Sequence, residues 1–328
     1  MYHCRRARTD QVRRVSHVTA VDPGTGGPQR RATLDLWDEP RWACAAMVTP
    51  VDRDGRIDAA RLARFGARLL EGGLNGLVLF GTMGEGASFP AAERLEAAER
   101  LVGLGLDPGR LVLGVASSAP AESAWLARRA GGLGLAAVLA TPPFFFRDGV
   151  EQEGIFRAYA AVVDGAGAEA PPLLLYHIPQ VAGVRVEVAT VRRLVDAYPG
   201  AVRGIKDSEG NAAYTRALLA EVDGARTAVL VGAEALIPEA MALGARGTIC
   251  GMANLIPRAI ARLVEGDAGG LEPVSAMERA LEGMPVIPAV KAAVGVRLGE
   301  AEAWRACVPP LLPASDGQAT DLAGLADL

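Results

Sequence analysis

Lys206 is the residue best placed for covalent chemistry in this chain. It ends the apolar run Val202-Arg203-Gly204-Ile205-Lys206 and is followed at once by Asp207. Of the 34 lysines and arginines in 328 residues, only Lys206 and Lys291 are lysine. A skewed coding composition explains a general use of arginine. It does not explain a lysine kept at the end of an apolar strand, where burial without a task is rare. Out of water the ammonium is disfavoured, and the neutral amine attacks a ketone to give an imine. Once protonated, that imine is an electron sink for carbanion chemistry. A salt bridge to Asp207 is the structural alternative. Lys291 falls in a C-terminal helical pattern and is expected to make a salt bridge.

Two further strand ends carry polar residues that suit such chemistry. Leu175-Tyr176-His177-Ile178-Pro179 places a phenol at the end of an apolar run; it is either a core tyrosine with its hydroxyl satisfied or a proton carrier. Gly81-Thr82-Met83-Gly84-Glu85 is a tight glycine turn whose backbone N–H groups can face one way and hold a carboxylate or phosphate. Read plainly, it is a glycine turn and no more.

These positions sit in a repeating frame. Apolar runs recur at Ala43–Thr49, Gly76–Gly81, Leu111–Ala116, Ala136–Thr141, Leu173–His177, Val202–Lys206, Ala228–Gly232 and Gly247–Gly251. Each is followed by a segment of helical periodicity, from Asp58–Leu70 to Ile256–Val264. Continuous apolar runs joined by helices are the pattern of a buried parallel sheet. Eight units predict a (β/α)8 barrel, whose active site lies at the carboxyl ends of the strands. A doubly wound sheet is the competing architecture, but no G-x-G-x-x-G or Walker A sequence is present. The expected organisation is a loosely held tail over residues 1–36, the barrel over 37–268, C-terminal helices over 269–312 and a loose end over 313–328.

The net charge of -4 and the scattered basic residues argue against nucleic acid as a partner. No apolar run reaches the length of about 18 residues that a membrane helix needs. Cys4, Cys44, Cys250 and Cys307 form no C-x-x-C pair and read as isolated thiols of a cytoplasmic protein. His177 is the one histidine outside the N-terminal tail, too few for a histidine-based metal site; a Ser-His-Asp hydrolase could use only that same histidine, and no G-x-S-x-G is present. No metal and no separate cofactor are expected.

Taken together, these motifs resemble the dihydrodipicolinate synthase/N-acetylneuraminate lyase family of Schiff-base lyases. The similarity runs from about Trp42 to Leu298. It is carried by Val48-Thr49-Pro50, Gly81-Thr82-x-Gly84-Glu85, Thr141-Pro142-Pro143, Tyr176-x-Ile178-Pro179, Gly204-Ile205-Lys206-Asp207, Ala253-Asn254 and Ile287-Pro288-x-Val290-Lys291. The resemblance implies that Lys206 forms the imine with pyruvate or a related 2-oxo acid and that Tyr176 shuttles protons. It implies that Gly81, Thr82, the Met83 amide and Gly84 shape the carboxylate site, and that Gly232 and Ile249 line the same pocket. A homotetramer or dimer is implied as the assembly.

Departures from the family pattern bear on the second substrate. Met83 stands where the lysine-biosynthesis enzyme has a second threonine. Phe144-Phe145-Phe146 stands where it has a relay tyrosine, matched here to Phe145. His177 replaces an asparagine, and Val181 replaces the arginine that holds the partner's carboxylate. A valine cannot pair with a carboxylate, and a phenylalanine cannot relay a proton. The expectation is therefore an aldolase or dehydratase with an altered second-substrate site. The alternatives are an authentic 4-hydroxy-tetrahydrodipicolinate synthase and a non-catalytic 2-oxo-acid-binding homologue.

Overall fold

Eight short apolar runs pair side by side in chain order and close on themselves. The computed structural model describes residues 35–328. The expected N-terminal tail lies outside the described residues except for Asp35 and Leu36, and Leu36 is fully buried. The strands are β1 (Trp42–Ala46), β2 (Gly76–Leu79), β3 (Leu111–Gly114), β4 (Ala137–Ala140), β5 (Leu173–His177), β6 (Val202–Asp207), β7 (Ala228–Val231) and β8 (Gly247–Cys250). All pairings are parallel, and β8 returns to β1 to complete the barrel. The expected (β/α)8 barrel with a C-terminal helical extension is the architecture found. Most predicted strands overshoot at their carboxyl ends; after β1, β2 and β3 burial continues past the end of the ladder, as at Met47 to Thr49.

The crossover helices are α1 (Ala59–Glu71), α2 (Ala91–Gly103), α3 (Pro120–Gly132), α4 (Gln152–Ala166), α5 (Pro179–Ala182), α6 (Val188–Ala197), α7 (Ala212–Glu221), α8 (Ile237–Ala242) and α9 (Pro257–Val264). Helix α1 shows how the sequence builds them. Asp58 caps its start, accepting the Arg61 N–H at 2.9 Å. Leu62, Phe65 and Leu69 recur on one face and are buried. Each such side chain contributes about 1.5–3 kcal/mol. Barrel closure has a polar stitch beside it: Asn254, fully buried, accepts the Val48 N–H at 3.1 Å and donates to the Ala46 and Gly251 carbonyls at 2.8 Å.

Beyond the barrel come α10 (Leu271–Leu281), α11 (Val286–Leu298), α12 (Ala301–Trp304) and α13 (Asp316–Gly324). Phe65 on α1 meets Trp304 edge-on at 5.0 Å, which anchors the extension to the barrel wall. The segment after Pro313, expected as a loose end, contains α13. Ser315 and Gln318 form a reciprocal capping box at the start of α13, and Leu322 is fully buried. Asp327 then caps a different helix: its carboxylate accepts the Arg258 and Ala259 N–H groups at the start of α9, at 3.2 and 3.0 Å. No helix among the described residues is long and apolar enough to cross a membrane.

Candidate active site

Strands β5 and β6 place Tyr176 directly opposite Lys206 in the parallel register. Residues paired this way point to the same face, so phenol and amine enter the barrel mouth together. The Lys206 Nζ lies 4.6 Å from the centre of the Tyr176 ring. Lys206 is 4 % exposed, and no carboxylate among the described residues reaches it as an ion pair. The salt bridge to Asp207 is therefore not made. Asp207 faces the other way, taking the Thr215 hydroxyl at 2.6 Å and the Glu209 N–H at 3.1 Å. Burial pushes its carboxyl up.

The Thr82 hydroxyl stands 3.5 Å from the Tyr176 hydroxyl. Burial, the largest influence, pushes the Tyr176 phenol up. The charge of Lys206, with hydrogen bonds to Thr82, Ser208 and Lys206, outweighs it and leaves the phenol below its ordinary value. Ser208 was not anticipated, although it follows Lys206 by two residues and so shares its side of the strand.

The turn after β2 is built to hold an anion. The Gly84 and Gly86 N–H groups both donate to the Gly81 carbonyl, and the Glu85 N–H donates to the Thr82 carbonyl. The Thr82 and Met83 N–H groups have no partner among the described residues. Phe80 and Glu85 both hold positive φ, at 54° and 56°, an uncommon conformation for side-chain-bearing residues. Gly86 is required here, because a Cβ would collide with the Phe80 carbonyl. What holds the turn is Glu85. Its carboxylate accepts Lys291 Nζ and the Val308 N–H, each at 2.6 Å, and both charged side chains are fully shielded from solvent. The expected salt bridge of Lys291 thus clamps the candidate carboxylate site.

A cavity of about 260 Å³ opens beside Tyr176 and Thr82. Phe144, Ile178, Val181, Ile287 and Leu311 supply much of its wall. Gly81 lines it, whereas Gly84 lies buried behind it with its carbonyl taking the Thr49 hydroxyl at 2.9 Å. Met83 instead packs toward Gly251 across the barrel mouth. Lys206 sits just outside the lining, behind Tyr176. Gly232 abuts Lys206, where a Cβ would stand 3.2 Å from the lysine Cε. Ile249 is buried among the barrel staves opposite Cys44 and does not reach the cavity. Cys44 and Cys250 are also buried in the barrel, and burial pushes both thiols up, which keeps them protonated.

Phe145 and His177 also lie away from the cavity. Phe145 is 72 % exposed and pairs edge-on with Phe146, while Phe144 faces the cavity. His177 alternates to the far side of β5 from Tyr176. It is fully buried, stacks on Tyr214 at 4.0 Å, accepts the Val186 N–H at Nδ1 and meets Glu209 at 3.2 Å through Nε2. Burial holds its pKa below the ordinary value. It braces the strand and does not touch the cavity. The contributions of Ile287 and Leu311 were not anticipated, since they come from the C-terminal extension. Among the described residues no group of three His, Cys, Asp or Glu side chains is placed to hold a metal.

Comparison with known proteins agrees with this geometry. The model of the dihydrodipicolinate synthetase family matches residues 40–322. A DapA-like lyase of Chloroflexus aurantiacus is 31% identical over 300 residues, covering 87% of this chain and 95% of its own. A 4-hydroxy-tetrahydrodipicolinate synthase of Acidiphilium cryptum is 34% identical over 238 residues, 72% of this chain and 78% of its own. The crystal structure of dihydrodipicolinate synthase from Agrobacterium tumefaciens str. C58 superposes with a TM-score of 0.80 at 32% identity, covering 87% of this chain and 98% of that one.

Proposed function

The chain belongs to the dihydrodipicolinate synthetase family and is a lyase, and from that premise we propose that its reaction runs through an imine between Lys206 and pyruvate or a closely related 2-oxo acid. The observation that carries this reading is the register pairing of Lys206 with Tyr176, with no carboxylate among the described residues paired to the lysine. In this reading the free Thr82 and Met83 N–H groups and the Thr82 hydroxyl take the substrate carboxylate. The Lys206 amine attacks the ketone carbon, and loss of water leaves the protonated imine. Tyr176 gives and takes the protons of these steps, and then removes one from the adjacent carbon to form the enamine. Thr82 orients the phenol.

No cofactor beyond this covalent imine is needed for these steps. Val181, which lines the cavity where the lysine-biosynthesis enzyme has an arginine, supports a second-substrate site that differs from that enzyme's. The free thiols Cys44, Cys250 and Cys307 support a reducing, cytoplasmic setting. Exposed Phe145 and Phe146 support assembly into a homodimer or homotetramer. The test is proton exchange. In deuterated buffer the protein should wash deuterium into the methyl group of pyruvate, followed by proton NMR, and Lys206→Ala should abolish this. Exchange that survives in Lys206→Ala refutes the imine.

A further inference from the structure

We propose that the second substrate is an apolar aldehyde, an aromatic or branched aliphatic one, whose carbonyl oxygen is its main polar atom. The inference rests on the imine reading above and names the partner that the enamine would attack.

The cavity carries the argument. Around it Phe144, Ile178, Val181, Ile287 and Leu311 present hydrocarbon, and among the described residues no lysine, arginine or histidine lines it. The carboxylate in the wall, Glu85, is already committed to Lys291 and Val308. Two arginines beside this segment lie outside the lining. Arg147 packs over Gly183, and Arg185 grips Glu209 with both terminal nitrogens. A partner bearing a carboxylate would therefore lose its hydration and find no cation. A polyhydroxylated partner would leave most of its hydroxyl groups unpaired against these side chains.

The polar atoms that do face the cavity are few and local. Besides the hydroxyls of Thr82 and Tyr176, Thr141 brings a buried Oγ1 that has no hydrogen-bond partner among the described residues. Ser88 lies at the exposed rim. An aldehyde oxygen accepting from Thr141 and Tyr176 would satisfy that orphaned hydroxyl. The cavity of about 260 Å³ equals roughly nine water volumes of about 30 Å³, room for a ring or branched chain beside a three-carbon oxo acid.

The outer wall is also set by a fixed element. Val308 is pinned to Glu85, and Pro310 and Leu311 follow it directly onto the cavity. Leu311 and Val181 thus stand as specificity residues contributed from opposite sides of the chain. In the reaction, the enamine carbon bonds to the aldehyde carbon and the carbonyl electron pair moves to its oxygen. Tyr176 returns to that oxygen the proton it took from the methyl group. Water then hydrolyses the imine, freeing a 4-hydroxy-2-oxo acid and the lysine amine. Cleavage is the same path reversed.

The test pairs pyruvate with three aldehyde classes and measures product by chromatography. Benzaldehyde and 3-methylbutanal represent the apolar class, succinate and aspartate semialdehydes the charged class, and glyceraldehyde the hydroxylated class. Methyl deuteration of pyruvate is run beside them. The apolar class should lead the other two in kcat/KM by about tenfold or more, since a single methylene in an apolar pocket is worth about that much. Val181→Arg and Leu311→Arg should each move the preference toward the semialdehydes, and Thr141→Val should lower kcat/KM for benzaldehyde about tenfold. If deuteration proceeds while a charged or hydroxylated aldehyde leads, or while no apolar aldehyde reacts, this inference is overturned and the imine stands. If deuteration itself is absent, the imine reading fails and the partner assignment falls with it.

Discussion

Replacing Lys291 by methionine should destabilise this protein far more than a surface charge change would. Lys291 Nζ and Glu85 Oε1 are 2.6 Å apart, and both side chains are fully shielded. At an effective dielectric of about 20, charges that close attract by about 6 kcal/mol. Desolvating each ion costs several kcal/mol, so the intact pair adds little net stability. Removing one partner is different, because Glu85 then keeps its burial and only the Val308 N–H. The expected loss is about 3–5 kcal/mol. It can be read from urea unfolding followed by tryptophan fluorescence, with Trp304 in the neighbouring packing. Glu85→Gln added to Lys291→Met should recover most of that loss, because the neutral amide still accepts from Val308. The single variant should also raise the pyruvate concentration needed for half-maximal deuteration, since Glu85 fixes the anion-binding turn. A loss below about 1 kcal/mol for Lys291→Met, or no recovery in the double variant, would show that the pair does not clamp the turn.

Other expectations follow from single contacts. Tyr176→Phe should still form the imine but turn over about a hundredfold or more slowly, and the alkaline limb of the wild-type pH profile, beginning below pH 10 because the phenol is held low, should disappear with it; wild-type turnover would mean another group carries the proton. His177 is held below its ordinary value near 6.5. Between its folded value and about 6.5 the unfolded chain binds the extra proton, so its contribution is present above about pH 6.5 and is lost as pH falls below it. Unfolding midpoints measured from pH 7 to 5 should therefore fall in the wild type and fall less in His177→Gln; parallel slopes would contradict this. Asp327→Ala should cost about 0.5–2 kcal/mol by uncapping α9, checked by the same urea titration; no change would show the cap is not used.

The parts of the site that were legible in the sequence are those where residue type and strand position coincide. Lys206, Tyr176 and Thr82 each follow an apolar run, and strand ends in this architecture face the site. Position within a loop has no such period. Three successive phenylalanines gave no means of choosing Phe144 over Phe145. The side of His177 could have been read from strand alternation, since Tyr176 and His177 cannot both face inward; matching by position to a family asparagine misplaced it. Ile287 and Leu311 reach the cavity only through long-range packing of the extension, which local pattern does not encode. The helix over Asp316–Gly324 did carry a signal, the Ser315-x-x-Gln318 cap, hidden in a segment with little apolar periodicity.

The most direct measurement of the central claim is peptide mass mapping after borohydride reduction in the presence of pyruvate. The account predicts one stable adduct per chain, located on the peptide that contains Lys206 and absent from Lys206→Ala. An adduct on Lys291 or on no lysine at all would contradict it.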